Sequence, residues 1–121
     1  MRVNNFIFVL FFFVSCNSSK NGIDVEIINS SDETVSNVTF YTFGSKLVFD
    51  KIESNEKVIG FLDMTNTKGD GSYTLTFIDK NKEKKQIARG YYTNGGSLDR
   101  KVIYEIKNDT VLVDFKDFFG F

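Results

Sequence analysis

Few side chains in this chain of 121 residues could do covalent or acid–base chemistry. It contains no histidine and no tryptophan, and Cys16 is its one cysteine. Because histidine is the commonest general base and transition-metal ligand, its absence excludes a Ser-His-Asp triad and the usual zinc sites. A single cysteine also excludes an internal disulfide. The groups that remain are carboxylates, lysines, tyrosines and one thiol.

Two tyrosines beside a glycine-rich loop form the most promising binding surface. Tyr91 and Tyr92 are followed by Asn94 and two glycines. Flat rings with polar tips suit contact with a peptide or a sugar. Alternatively, one ring lies in the core and the other covers a sheet edge, while Asn94 serves a turn. Phe119, in a phenylalanine-rich tail, either closes the open end of the fold or docks a partner. The proposed binding surface therefore comprises Tyr91, Tyr92, Asn94 and Phe119.

Three aspartates could in principle gather oxygen ligands for calcium, namely Asp63, Asp70 and Asp79. Their spacing is not that of an EF-hand loop, and a plain turn role is favoured. We therefore expect no metal and no cofactor. Four lysines between residues 80 and 85 favour a solvated hairpin tip over contact with anionic lipid.

The first sixteen residues have the layout of a secretory signal peptide. Met1-Arg2 supplies a cationic start, residues 6–14 form an unbroken apolar run, and Ser15 precedes Cys16. A run of about nine residues is far below the roughly 20 that a helix needs to cross a bilayer. The segment is therefore predicted to direct export.

The end of this segment carries a more specific signal. Phe13-Val14-Ser15-Cys16 resembles the lipobox of bacterial lipoproteins, with Phe13 at a position usually held by leucine. The resemblance implies diacylglycerol on Cys16, removal of residues 1–15, and acylation of the new amino terminus. Several acyl chains hold a protein stably on a membrane. No aspartate lies next to Cys16 and no acidic cluster follows it closely, which favours the outer membrane, facing the periplasm. The polar residues 16–22 then form a flexible tether to a single domain over residues 23–121.

The balance of basic and acidic residues limits the kinds of partner that the domain could bind. Cleavage before Cys16 leaves about 106 residues, with 14 basic and 16 acidic side chains. A nucleic-acid-binding domain needs a basic excess or stripe, so we expect no nucleic-acid partner. Enzymes that rely on a pair of carboxylates stay open, although a domain of this size offers little room for their cleft.

Period-two alternation of apolar residues dominates from residue 23 onward, which predicts strands. No run shows a helical period with caps. Turn-forming clusters separate the runs at regular intervals, and the clearest lie at residues 29–33, 53–56, 79–82 and 108–109. Seven or eight short strands at this spacing are typical of an all-β sandwich.

One motif makes the fold prediction narrower. Residues 70–75, Asp-Gly-Ser-Tyr-Thr-Leu, resemble the Asp-x-x-Tyr-x-apolar pattern at the tyrosine corner of immunoglobulin-like sandwiches. The resemblance implies that the Tyr73 hydroxyl bonds a nearby backbone group. We therefore expect an all-β, immunoglobulin-like antiparallel β-sandwich of seven or eight strands after a cleaved signal peptide.

The general layout also resembles the small lipoproteins of the Bacteroidetes group, on residues 29–31, 70–73 and 90–95. The resemblance implies a lipoprotein of the cell envelope that is anchored to the membrane through the lipid on Cys16. We expect a non-enzymatic binding or structural module with an envelope protein as partner. Two alternatives stay open: a small carbohydrate-active domain, and an inhibitor or immunity protein that acts on a periplasmic enzyme.

Overall fold

The structure is a computed structural model that describes residues 21–118. This part of the chain contains nine β-strands and no helix, so none of its segments is a helix that could span a membrane. In chain order the strands are β1 (Gly22–Asn29), β2 (Val35–Thr42), β3 (Ser45–Ile52), β4 (Lys57–Asp63), β5 (Gly71–Ile78), β6 (Lys84–Thr93), β7 (Gly96–Ser97), β8 (Lys101–Ile106) and β9 (Val111–Lys116).

The strands form two sheets that pack face to face as a sandwich. One sheet has the order β4-β1-β8-β9, and the other has the order β3-β2-β5-β6-β7. The all-β sandwich expected from the alternation is confirmed. The number of strands exceeds the predicted seven or eight because β7, only two residues long, pairs with the end of β6.

One strand pair corrects the expectation of a wholly antiparallel fold. β1 and β8 run parallel, with Asp24 opposite Lys101 at one end and Asn29 opposite Ile106 at the other. The chain crosses between the sheets before β8 and enters that strand at the end where β1 begins. Its direction is therefore that of β1. The other pairs are antiparallel.

The core lies between the two inner faces and follows the period-two pattern. Burial removes apolar side chains from water, which is the main stabilising contribution in such a domain. Phe40 is at its centre, with its ring stacked 5.5 Å from Tyr73 and edge-on 5.7 Å from Tyr104. The fully or nearly fully buried apolar residues are Ile23, Val25, Ile27, Val35, Val38, Phe40, Ile52, Leu62, Met64, Tyr73, Leu75, Phe77, Tyr92, Val102, Tyr104 and Ile106.

The sandwich has two distinct ends, which we name by the place where the described chain begins. The proximal end carries Asn21 and the turns at residues 43–44, 64–70 and 94–95. Hydrogen bonds join these segments to one another, for example the bond from the Asn21 side chain to the Gly95 carbonyl, at 3.2 Å. The distal end carries the loops at residues 30–34, 53–56, 79–83 and 107–110.

The environment of Tyr73 corrects one detail of the sequence-based expectation. Its hydroxyl donates to the side chain of Ser97, not to a backbone group. Ser97 in turn donates from Oγ to the backbone carbonyl of Asp99. The link from the tyrosine to the backbone therefore exists, but a serine relays it.

Candidate functional site

A groove lies between β6 of one sheet and β9 of the other. Toward the proximal end the two strands close on each other, because the ring of Phe115 lies against the backbone of Gly90. A Cβ atom at Gly90 would collide with that ring. Toward the distal end the strands separate and leave a groove of about 730 Å³.

The floor of the groove is apolar and belongs to both sheets. Phe77 and Ile106 are 4% and 2% exposed, so the floor is continuous with the core. Its apolar residues are Val35, Phe77, Ile87, Ile106 and Val111. Such a floor can accept an apolar side chain from a ligand, since apolar area then leaves water on both partners.

The walls are charged, and their cations differ in pairing. Lys85 is paired with Asp79 and Glu83, at 3.8 and 3.6 Å. Arg89, like Lys80 and Lys107, has no salt bridge to any residue between 21 and 118. Its position opposite the buried Tyr73 in the β5–β6 register places it on the inner face of β6. The further charged residues of the walls are Asp32, Glu33, Lys80, Lys107 and Asp109.

Both strands that border the groove have an unpaired edge in the described residues. β6 pairs with β5 along its length, but β7 covers only Tyr92 and Thr93 on its other side. β9 pairs with β8 alone. The backbone N–H and C=O groups on these free edges can bind an added strand. The groove therefore combines an apolar floor with free strand edges.

A buried asparagine holds the distal loops in place. Asn29 donates from Nδ2 to the carbonyls of Glu33 and Ile52, each at 2.9 Å. Its Oδ1 accepts from the backbone N–H and the hydroxyl of Ser31, at 3.0 and 2.6 Å. All four hydrogen bonds that an amide side chain can make are thus formed. The loop that borders the groove is fixed before any ligand arrives.

Two further contacts tie this loop to its neighbours. The backbone N–H of Lys80 donates to Glu33 Oε1 at 3.1 Å, and that of Asp32 donates to Asn108 Oδ1 at 2.9 Å. The three loops around the groove therefore form one connected rim. The turn cluster expected at residues 108–109 lies between the antiparallel strands β8 and β9, and neither residue has a positive φ.

The tyrosine-rich segment lies at the proximal end, away from the groove, and only part of it is exposed. Tyr91 is 50% exposed, whereas Tyr92 is 2% exposed and its hydroxyl accepts from the N–H of Phe43 at 3.0 Å. Tyr92 is thus the ring that lies in the core, as the alternative interpretation allowed, and Tyr91 is the one of the two tyrosines that is exposed. Asn94 adopts a positive φ of 51° in a turn. Phe119, like Cys16, lies outside the described residues.

Asp70 serves this turn as a hydrogen-bond acceptor. It accepts hydrogen bonds from the Asn94 N–H at 2.8 Å, the Thr93 hydroxyl at 3.0 Å and the Tyr91 hydroxyl at 3.3 Å. The first two of these hold the pKa of Asp70 below its ordinary value of 3.8. Asp63 and Asp79 likewise accept hydrogen bonds from their own turns. Residues 21–118 contain no group of three or more potential ligands that could hold a metal ion.

The groove was not predicted from the sequence. The lysines of the β5–β6 hairpin were noted there, but the groove itself depends on where the two sheets diverge, which no local pattern reports. Lys85 and Arg89 could have given a signal, since each is a cation on β6 opposite a buried aromatic residue of β5.

Comparison with known proteins bears on the fold. No protein-family model matches this chain, and no curated protein matches it. An NMR structure of a protein from Eubacterium rectale is similar, with a TM-score of 0.54 and 15% sequence identity. The similarity covers 85% of this chain and 96% of that chain. At this identity the likeness supports the all-β sandwich and carries no information on activity.

Proposed function

We propose that this chain is a lipoprotein of a bacterial cell envelope, anchored through Cys16, whose sandwich domain is a non-enzymatic binding module. The observation that carries the proposal is the position of the groove. It opens at the distal end, whereas Asn21, which follows the Cys16 segment, lies at the proximal end. A domain tethered at one end and open at the other presents its groove away from the membrane.

The anchor part of the proposal rests on residues 1–16. The cationic start, the apolar run and the Ser15-Cys16 pair support export, cleavage before Cys16 and lipid attachment there. The residues after Cys16 support the outer membrane, with the domain facing the periplasm. The proximal position of Asn21 is compatible with a short tether between this lipid and the domain.

The partner that best fits the groove is an extended segment of another envelope protein that places one acidic side chain opposite Arg89. β6 contributes Lys84, Lys85 and Arg89 and no acidic residue. An added strand would bond the free edge of β6, place an apolar side chain over Ile87, and pair an acidic side chain with Arg89. The two lysines also discourage unspecific pairing with other strands.

We propose that the domain is immunoglobulin-like in its architecture of two packed sheets, but not in the order of its strands. The two face-to-face sheets and the buried Tyr73 support it. The strand order differs from the constant-type order, in which the first, second, fifth and fourth strands share a sheet. Here β1 shares its sheet with β4, β8 and β9. We therefore propose an immunoglobulin-like sandwich architecture without immunoglobulin strand order.

The test places a photo-crosslinking amino acid at Gln86, in the groove wall, in cells that carry the full chain. A matched control places it at Val48, which is 54% exposed on β3. We expect one defined adduct at Gln86 and none at Val48, with the crosslinked segment extended and carrying an acidic side chain that can pair with Arg89. Arg89→Glu should weaken binding of that segment at least about tenfold, while Lys46→Glu at the proximal end should not.

Equal crosslinking at both positions, or binding that Arg89→Glu leaves unchanged, would contradict the proposal. The same proteins also test the carbohydrate alternative. Asp79 and Glu83 lie in the groove wall and share Lys85, and carboxylate pairs cleave glycosides. Sugar hydrolysis that Asp79→Asn and Glu83→Gln abolish would overturn the non-enzymatic assignment. Tight inhibition of a periplasmic hydrolase would favour the inhibitor alternative.

A further inference from the structure

The exposed aromatic side chains of residues 21–118 all lie at the proximal end of the sandwich. Phe43 is 73% exposed in the β2–β3 turn, Phe118 is 58% exposed after β9, and Tyr91 is 50% exposed near the end of β6. Leu98, in the connection between β7 and β8, is 50% exposed. Isolated exposed apolar residues need no explanation, but a group gathered at one end indicates a contact surface.

The distal end has the opposite character. Its loops carry charged residues and none of the strongly exposed aromatic side chains. The three remaining exposed apolar residues, Val48, Ile59 and Leu112, lie within strands on the outer faces. The domain is therefore polar at the end that holds the groove and aromatic at the end where the described chain begins.

The path of the chain identifies what the aromatic end faces. Asn21 is fixed at this end, since its side chain donates to the carbonyls of Met64 and Gly95 and its carbonyl accepts from the Met64 N–H. Only four residues separate Asn21 from Cys16. A chain of this length spans at most about 18 Å, shorter than the roughly 25 Å of an eight-residue strand.

We propose that the proximal end rests on the lipid surface, with Phe43, Leu98 and Phe118 in the headgroup region. This inference rests on the anchor at Cys16 that the proposed function assigns. Aromatic rings favour the boundary between headgroups and acyl chains, and Tyr91 can keep its hydroxyl in water there. The lipid anchor holds these side chains close to the surface, so that a contact too weak to bind a free domain can still orient it.

The charged residues at the proximal end indicate which kind of lipid surface it can contact. Lys46, Lys68 and Arg100 are exposed there, but Asp70 and Asp99 lie at the same end. The surface has no strong positive excess that would select anionic lipid. The contact should therefore be apolar, insensitive to salt, and present on zwitterionic lipid.

The absence of tryptophan makes this proposal directly measurable. Phe43→Trp places a single fluorescent reporter at the proximal end, and Leu112→Trp, where the leucine is 49% exposed, places a matched reporter on β9 near the distal end. Each full chain is produced in bacteria, purified with its lipid, and reconstituted into phosphatidylcholine vesicles that contain brominated acyl chains. A Phe118→Trp variant serves as a second proximal reporter.

We expect the two proximal reporters to be quenched at least threefold more strongly than the reporter at position 112, and their emission to be shifted to the blue. Both effects should be the same when measured in about 0.1 M and in about 0.5 M salt. Co-flotation with the vesicles reports on the anchor independently of the quenching. Protein that floats but shows equal quenching at positions 43, 118 and 112 would overturn this inference and leave the proposed function intact. Protein that does not float would overturn both.

Discussion

The hydroxyl of Tyr73 donates a 2.7 Å hydrogen bond to Oγ of Ser97, a residue of the two-residue strand β7. Ser97 Oγ donates onward to the carbonyl of Asp99, and the N–H of Asp99 returns a bond of 3.2 Å to the same oxygen. A fully buried tyrosine thus fixes the segment that crosses from one sheet to the other. Burial of its ring raises the pKa of Tyr73, so the neutral donor is the form present below pH 10.

Removing either partner of this bond should destabilise the domain unequally. Tyr73→Phe should cost about 1 kcal/mol, because Ser97 keeps its bond to the Asp99 carbonyl. Ser97→Ala should cost about 1–3 kcal/mol, because it leaves the buried tyrosine hydroxyl with only the weak acceptor Met64 Sδ, at 4.0 Å. Urea unfolding of both variants and the double variant measures the coupling. Strictly additive losses would show that the two side chains do not act together.

Tyr104 differs from Tyr73 in that its hydroxyl makes no hydrogen bond with the described residues. This hydroxyl is nevertheless buried. Since an unmade hydrogen bond of a buried group costs free energy, Tyr104→Phe should leave stability unchanged or raise it by about 1 kcal/mol. Thermal unfolding near pH 7 checks this expectation, with Tyr73→Phe as the destabilising control. A loss of more than about 1 kcal/mol in Tyr104→Phe would reveal a partner for the hydroxyl.

The same tyrosine predicts how stability depends on pH. Burial raises the pKa of Tyr104 well above the ordinary value of 10.0. Above pH 10 the unfolded chain loses this proton while the folded chain keeps it, so stability must fall as the pH rises. In Tyr104→Phe this fall should be shallower. Identical slopes of unfolding free energy between pH 10 and 11 in both proteins would contradict the burial of Tyr104.

Asn29 should be the most sensitive polar position near the groove. Asn29→Asp keeps the shape and the two accepted bonds but removes both donors to the carbonyls of Glu33 and Ile52. It also places a charge in a fully buried position, so we expect a loss of about 3 kcal/mol or more. The control is Asn108→Asp, which preserves the single accepted bond from Asp32 and should change stability by less than about 0.5 kcal/mol. Similar losses in the two variants, measured by urea unfolding, would contradict this role.

Substituting two glycines that both have a positive φ distinguishes the cost of backbone strain from the cost of a steric clash with a neighbouring side chain. Gly90 has a φ of 82° and its Cβ position is filled by the Phe115 ring, whereas Gly69 has a φ of 69° and nothing within 4 Å. Gly69→Ala should cost about 1 kcal/mol through strain alone, and Gly90→Ala about 1–3 kcal/mol more. Equal losses in thermal unfolding would mean that β6 and β9 do not close the proximal end of the groove.

The local parts of the fold were predictable from the sequence because each depends on neighbouring residues. The alternation of Ile23, Val25 and Ile27 identified the buried face of β1, and the turns at residues 79–82 and 108–109 identified the β5–β6 and β8–β9 hairpins. Asn94 lies in a turn with positive φ, as one of the two interpretations of its segment predicted. These features follow from period and turn chemistry within a few residues.

The non-local parts were not predictable from local pattern. The parallel pairing of β1 with β8 joins segments about 77 residues apart, and no alternation reports which strands meet. Tyr91 and Tyr92 look alike in sequence, yet a register shift between β5 and β6 sends only Tyr92 into the core. The groove exists because Phe115 closes on Gly90 at one end only, which is a relation between two sheets.

The attachment of the chain to a membrane through Cys16 is the central claim, and the intact mass of the protein tests it most directly. The protein is extracted from bacterial envelopes beside a Cys16→Ser variant, and both are measured by mass spectrometry and membrane partitioning. The account predicts a product that starts at Cys16, carries diacylglycerol and an acyl chain, and partitions into membranes only when Cys16 is present. A soluble product without lipid, or equal partitioning of the two proteins, would contradict it.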